Sequence, residues 1–129
     1  MSHLIVEKKG NIGVITLNHP QTLNALTTEM FEGLPKAWES FAQDDDIRVV
    51  VLTGTGRGFC SGANVGSLEK GAEERQGKDM TSVATEHWPL FTARHVGFYK
   101  PVITAVNGIC AGAGLHFVAD SDIVIASEK

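Results

Sequence analysis

The chain opens with two short runs of strand-forming residues that flank a turn. The runs Leu4–Lys9 and Ile12–Leu17 are separated only by Gly10-Asn11. Two β-branched runs of this length around a two-residue turn predict a β-hairpin. Glycine suits a turn that needs a positive φ at its first central position. We therefore expect two antiparallel strands at the start of the chain.

A helical pattern follows between residues 30 and 42. Apolar residues recur there at helical spacing, namely Met30, Phe31, Leu34, Ala37, Trp38, Phe41 and Ala42. The preceding Thr27-Thr28-Glu29 offers a capping hydroxyl and an acid in the first turn, so a helix is expected to begin there. Pro35 lacks the backbone N–H that a helix interior uses, and we expect it to kink the helix or delay its start.

The strongest strand signal lies at residues 47–53, after the polar Asp44-Asp45-Asp46. Its near-continuous apolar character predicts burial on both faces, as in a parallel sheet. A glycine-rich turn spans residues 54–65. Residues 66–86 are polar without clean periodicity and are interpreted as a mobile loop or a solvated helix. Residues 85–99 have the apolar pattern of a helix, with Pro89 in its first turn or breaking it.

A second buried strand, Val102–Val106, also leads into small residues. Asn107-Gly108 turns the chain, residues 111–114 are small, residues 115–119 predict a helix, and residues 122–126 predict a last strand. Because strands alternate with helices, we expect an α/β fold with a partly parallel sheet. Two small-residue turns at strand ends favour a ligand site at the carboxyl edge of the sheet, where free N–H groups face an anion. Tight packing of helix on strand is the alternative explanation for either turn.

Length and charge narrow the classes of partner. The 129 residues fit one domain, and the net charge of −4 favours neither nucleic acid nor a membrane surface. Cys60 and Cys110 are too few for a disulfide framework and are interpreted as small buried hydrophobes. No apolar run approaches the roughly 18 residues of a membrane span, and no signal-peptide pattern is present, so a cytoplasmic protein is expected.

His116 and Asp120 share a helical face, and a structural hydrogen bond is favoured there over a metal site.

Four motifs, at residues 18–26, 59–64, 100–114 and 122–123, occur in an order that resembles the enoyl-CoA hydratase/isomerase (crotonase) superfamily. The resemblance covers about the amino-terminal half of a typical member. It implies a partial crotonase-like ββα spiral, with residues 1–129 as the amino-terminal part of an acyl-CoA-binding core and the carboxyl-terminal half absent. We therefore expect the chain to be a fragment of a longer one, or to be completed by another polypeptide.

The resemblance also implies an activity and a set of site residues. Family members bind acyl-CoA thioesters and stabilise an enolate, which implies a hydratase or isomerase whose oxyanion-hole N–H groups belong to Ala63 and Ala113. Contacts with coenzyme A, which enters as part of the substrate, are implied for Asn24, Ala25, Ala63, Asn64, Val65, Gly66 and Gly112. No separate cofactor and no metal are expected, and a homo-oligomer, a trimer or a dimer of trimers, is implied.

Two departures from the family pattern leave a second function open. His116 occupies the position of the first catalytic glutamate, and Asn64 replaces the usual aspartate after Ala63. Histidine can act as a base near neutral pH, but a neutral ring offers one acceptor where a carboxylate offers several. The alternative to an enzyme is therefore a non-catalytic acyl-CoA-binding homologue in which His116 only lines the pocket.

Overall fold

The computed structural model describes residues 2–62 and 91–128. The strands in these ranges are β1 (Leu4–Lys9), β2 (Ile12–Leu17), β3 (Val49–Gly54), β4 (Gly58–Cys60), β5 (Val102–Val106), β6 (Ile109–Cys110) and β7 (Ile123–Ala126). The helices are α1 (Thr28–Gln43) and α2 (Gly114–Ala119), with a 3-10 turn at Pro20–Thr22. The interpretation of residues 66–86 lies outside the described residues.

The main sheet has five strands in the order β1-β2-β3-β5-β7. Only β1 and β2 pair antiparallel, while the other neighbours pair parallel. A separate two-stranded parallel sheet joins β4 to β6. The predicted α/β class with a partly parallel sheet is therefore confirmed.

The predicted hairpin is also confirmed. β1 and β2 pair in continuous register from Leu4 opposite Leu17 to Lys9 opposite Ile12. Gly10 has a φ of +62° at the first central position of the turn, as the sequence predicted. Glycine takes this conformation at little steric cost, so the turn residue fixes the register of the hairpin.

Helix α1 begins where the cap predicted and continues through Pro35. The Thr27 hydroxyl accepts from the Met30 N–H at 3.3 Å. The expectation of a delayed start is wrong, because burial of one face of α1 stabilises the helix by more than the interior proline destabilises it. A helix-interior proline costs about 3 kcal/mol, and each large apolar side chain buried on that face returns about 1.5–3 kcal/mol. That face consists of Met30, Leu34, Ala37, Trp38 and Phe41.

Two further expectations need correction. In β3, Val50 and Leu52 are fully buried while Val49 and Val51 are only half-buried, so one face rather than both is enclosed. Residues 91–99 do not form the predicted helix, and residues 93–97 within them form turns. Gly97, with a φ of +73°, turns the backbone out of helical geometry. The first part of that predicted helix lies outside the described residues.

Candidate functional site

The two small-residue turns predicted from the sequence meet in space, because β4 and β6 pair side by side. Cys60 lies opposite Cys110, and the Ala111 N–H donates to the Cys60 carbonyl at 3.0 Å. A Cβ atom built on Gly62 would lie 3.4 Å from the Ala111 oxygen and 3.7 Å from the Ala113 nitrogen. The turn after β4 therefore directly contacts the turn after β6.

Three glycines allow this close approach. Gly62 has a φ of +117° and Gly112 a φ of +53°, conformations that other residues rarely adopt. A Cβ on Gly114 would lie 2.5 Å from the Cys60 oxygen, so α2 packs directly on the end of β4. The tight-packing explanation thus holds for Gly114, while Gly62 and Gly112 bring the backbones of the two turns together.

Ala113 immediately precedes α2 at this junction and is half-buried. The hydrogen bonds of the turn run from the N–H groups of Gly114, Leu115 and His116 to the carbonyls of residues 111–113. Within residues 2–62 and 91–128, no acceptor takes the Ala113 N–H. The geometry thus leaves this N–H beside Gly62, and its role as an oxyanion donor stays a prediction. Gly112, one residue earlier, is exposed.

The loop after β2 is fastened to the same junction. The Leu26 N–H donates to the Gly62 carbonyl at 2.7 Å, and the Ser61 N–H donates to the Leu23 carbonyl at 3.0 Å. Ala25 lies between these bonds and is buried. The predicted coenzyme A contact of Ala25 is therefore placed beside the glycine junction, and the contact itself stays a prediction.

Asn24 is fully buried, and its side chain binds other loops of the protein. Its Oδ1 accepts from the His19 N–H at 2.7 Å, and its Nδ2 donates to the carbonyls of Thr55 at 2.9 Å and Gly58 at 2.8 Å. The side chain therefore ties the loop after β2 to the turn between β3 and β4.

A second asparagine binds the same turn, and the sequence identified it only as a turn residue. Asn107 Oδ1 accepts from the Gly54 N–H at 3.1 Å, and its Nδ2 donates to the carbonyls of Gly56 at 3.0 Å and Gly58 at 3.1 Å. No spacing or periodicity signals this role, because the bonds join residues about fifty positions apart.

His116 is exposed on α2, one turn after Ala113. Its ring centroid lies 5.9 Å from that of Phe91 and 6.2 Å from that of His95. The helix beneath it is anchored by Phe117, which packs edge-on against Phe59 and Phe91. The position expected to hold an acid therefore presents an imidazole on a firmly packed helix.

Part of the predicted site is not described. Ala63, Asn64, Val65 and Gly66 lie outside the described residues, so their predicted roles stay predictions. Among the residues that are described, no three His, Cys, Asp or Glu side chains form a group that could hold a metal ion. No helix in those same ranges has the length and apolar character to cross a membrane.

The cysteines next to the junction are protonated thiols. Burial raises the pKa of Cys60 to about 11, and burial also raises the pKa of Cys110. Thiols are poor nucleophiles compared with thiolates. Cys60 is therefore a buried packing group beneath the turns, as the sequence indicated, whereas Cys110 is only half-buried.

Known proteins share this architecture. The solved structure of an enoyl-CoA hydratase/isomerase from Mycobacterium paratuberculosis superposes with a TM-score of 0.77 at 41% identity, covering 98% of this chain and 46% of that one. An enoyl-CoA hydratase from Shewanella pealeana ATCC 700345 superposes with a TM-score of 0.81 at 26% identity, covering 96% of this chain and 46% of that one.

Sequence comparison gives the same relationship. The 2,3-dehydroadipyl-CoA hydratase of Escherichia coli (strain K12) is 35% identical over 129 residues, which are 100% of this chain and 48% of the relative. The 1,2-epoxyphenylacetyl-CoA isomerase of the same organism is also 35% identical, over 100% of this chain and 49% of the relative. The chain thus spans about half the length of these relatives.

A family model covers most of the chain. The model described as enoyl-CoA hydratase/isomerase matches residues 7–129, a range that includes both turns of the junction and His116. The predicted resemblance is therefore confirmed, and the chain belongs to the enoyl-CoA hydratase/isomerase family.

Proposed function

We propose that the protein binds an acyl-CoA thioester and catalyses a hydratase- or isomerase-type reaction through an enolate. The observation that carries this proposal is the contact between the two glycine turns, where the Ala113 nitrogen lies beside Gly62. Relatives whose names include a CoA hydratase and a CoA isomerase support the reaction class. Coenzyme A would arrive as part of the substrate, and the assembly would be a homo-oligomer.

The N–H groups of Ala63 and Ala113 would donate to the thioester oxygen. This oxygen gains negative charge as the enolate forms, and backbone donors that are already in place stabilise that charge without reorganising. Each such donor is typically worth about 3–4 kcal/mol of transition-state stabilisation. The hydrogen-bonded loops around Gly62 support the rigidity that such a donor pair needs.

His116 would transfer the proton. It lies one helical turn beyond Ala113, so a thioester held by the Ala113 N–H would have its reacting carbons near the imidazole. A positioned imidazole gains and loses a proton near neutral pH, and a general base contributes about 10²–10⁴-fold in rate.

Replacement of Ala113 by proline tests the donor directly. Proline lacks the backbone N–H but fits the Ala113 φ of −59° and is tolerated at a helix start. We expect Ala113→Pro to lower kcat on an enoyl-CoA by about 10²–10³-fold, followed by loss of the enoyl-thioester absorbance. Ala113→Gly, which keeps the N–H, is the matched control and should retain activity within about fivefold. Equal activity of the two variants would contradict the proposed donor.

A non-catalytic acyl-CoA-binding protein is the second candidate, favoured by the exposed imidazole where the family pattern has an acid. Calorimetric binding of a saturated acyl-CoA, combined with a turnover assay on an enoyl-CoA, separates the two candidates. Saturable binding without turnover of any enoyl-CoA in the full-length protein would establish the second candidate. Turnover that falls at least about 100-fold in His116→Ala, with Tyr99→Ala unchanged as a surface control, would establish the first.

A further inference from the structure

A hydrogen-bonded group of three residues lies beside His116, and we call it the Asp120 cluster: Thr92, His95 and Asp120. The buried Thr92 hydroxyl donates to Asp120 Oδ2 at 2.5 Å. His95 Nε2 lies 4.0 Å from the same oxygen. The Thr92 hydroxyl therefore holds the carboxylate, and the His95 ring lies close to it.

The protonation pattern of His95 follows from its contacts. The Thr92 backbone N–H donates to His95 Nδ1 at 3.4 Å, and the His95 N–H donates to the Thr92 hydroxyl at 3.3 Å. With Nδ1 acting as an acceptor, the neutral ring carries its proton on Nε2. His95 Nε2 lies 4.0 Å from Asp120 Oδ2, beyond hydrogen-bond distance, so the Thr92 hydroxyl orients the carboxylate and the imidazole lies next to it.

The cluster extends to His116 through two contacts. The Asp120 N–H donates to the His116 carbonyl at 3.0 Å, which keeps the two residues one helical turn apart on the same face. The rings of His95 and His116 lie 6.2 Å apart, and the buried Phe91 ring packs edge-on against both. The Asp120 carboxylate thus lies 4.0 Å from one imidazole and is carried one helical turn from the other, and both rings are held against the same apolar wall.

The nearby cation Arg94 pairs with a different carboxylate from Asp120. In the part of the chain described around α2, the cation next to His95 in sequence is Arg94, whose guanidinium pairs with Asp122 Oδ1 at 2.9 Å. Asp122 Oδ2 accepts from the Val102 N–H at 2.8 Å. Asp122 therefore has a structural role, whereas the Asp120 carboxylate lies near the His95 ring and shares a helical face with His116.

We propose that Asp120 and His95 are positioning residues that stabilise the positively charged form of His116 while it carries the substrate proton. This inference rests on the proposed function. His116 takes a proton from the substrate carbon, the electron pair of that C–H bond moves toward the thioester oxygen, and the imidazole becomes a cation. The carboxylate one turn away compensates that charge until the proton is returned to the product.

The experiment compares kcat and KM of Asp120→Asn with those of the wild-type full-length protein on an enoyl-CoA. Asparagine can still accept from the Thr92 hydroxyl, so the exchange removes the charge and keeps the shape. We expect kcat to fall about tenfold with KM within about twofold, a loss of about 1.4 kcal/mol of transition-state stabilisation. His95→Gln should lower kcat in the same direction by about threefold.

A double variant shows whether the effect passes through His116. In a His116→Ala background, Asp120→Asn should change kcat by less than about twofold, because residues that act through one another are not additive. Asp122→Asn is the matched structural control, expected to lower the Tm and leave kcat unchanged. If the wild-type protein turns over and Asp120→Asn leaves kcat unchanged, the inference is overturned and the proposed function stands. The same holds if the losses in kcat of His116→Ala and Asp120→Asn add in the double variant. A wild-type protein without turnover would overturn the proposed function as well.

Discussion

Replacing Asn24 should destabilise the protein more than any exposed polar substitution. The side chain is fully buried, and three backbone groups bond to it: the His19 N–H and the carbonyls of Thr55 and Gly58. The Gly58 carbonyl keeps a second donor, Asn107 Nδ2, so loss of the Asn24 amide leaves the His19 N–H and the Thr55 carbonyl without a partner. A buried polar group without a partner costs about 1 kcal/mol at the low end of the range, so the loss amounts to about 2 kcal/mol.

The backbone of Asn24 adds a second contribution. Its φ is +59°, a left-handed conformation that costs alanine about 1 kcal/mol and costs glycine almost nothing. We therefore expect Asn24→Ala to lower the free energy of unfolding by about 3 kcal/mol and Asn24→Gly by about 2 kcal/mol. The pair separates the hydrogen bonds from the backbone strain.

Urea unfolding of the full-length protein, followed by fluorescence, measures both values. With a slope of about 2–3 kcal/mol per molar, the midpoint should fall by about 1–1.5 M in Asn24→Ala and by about 0.7–1 M in Asn24→Gly. Gln21→Ala, at an exposed residue of the same loop, is the control and should stay within about 0.5 kcal/mol of wild type. An Asn24→Gly variant within about 1 kcal/mol of wild type would show that the amide does not hold the loops together.

Three further results are expected. Gly114→Ala should lower stability by about 1–3 kcal/mol, measured by urea unfolding, because its Cβ would lie 2.5 Å from the Cys60 oxygen; an unchanged midpoint would contradict the packing. Burial raises the pKa of Cys60 from the ordinary thiol value of 9.0 to about 11, so the free energy of unfolding should fall as the pH rises from 9.0 toward 11. Cys60→Ala should abolish this alkaline loss of stability. Hydrogen bonding to Lys8 lowers the pKa of Asp44 below 3.8, so the stability from this pair is present above that pH and is lost on acidification. Lys8→Ala should flatten this acid limb of the stability curve, and an unaltered limb would refute the assignment.

Local sequence signals predicted the regular elements well. The Gly10 turn and the Thr27 cap act over a few residues, so their neighbours in the chain contain the whole signal. Pro35 shows the limit of such signals, because the helix persists through burial against distant parts of the chain. At Gly97 the apolar spacing favoured a helix, but the backbone has a positive φ there and forms a turn instead.

The candidate site also contains residues that local sequence motifs located and contacts that they could not predict. The family motifs located Gly112, Ala113 and His116, and the departure from the family pattern at residue 116 can be read from the sequence alone. The bonds of Asn24 and Asn107 to the Gly58 carbonyl could not be predicted, because either side chain has many possible partners in an unfolded chain. The Asp120 cluster joins residues 25 to 28 positions apart, and its contacts follow from how the turn before β5 packs on α2.

The sequence by itself determined the fold class, the family and the residue types at the two glycine turns, since these depend on periodicity and on motifs within short stretches. Only the tertiary structure decided that the Gly62 turn touches Gly112 and Ala113, because that contact requires the pairing of β4 with β6 across about fifty residues. The two turns can approach each other because Gly62, Gly112 and Gly114 have no side chains. The register of β4 and β6 sets where the turns meet. The proposed chemistry at Ala113 and His116 depends on that register.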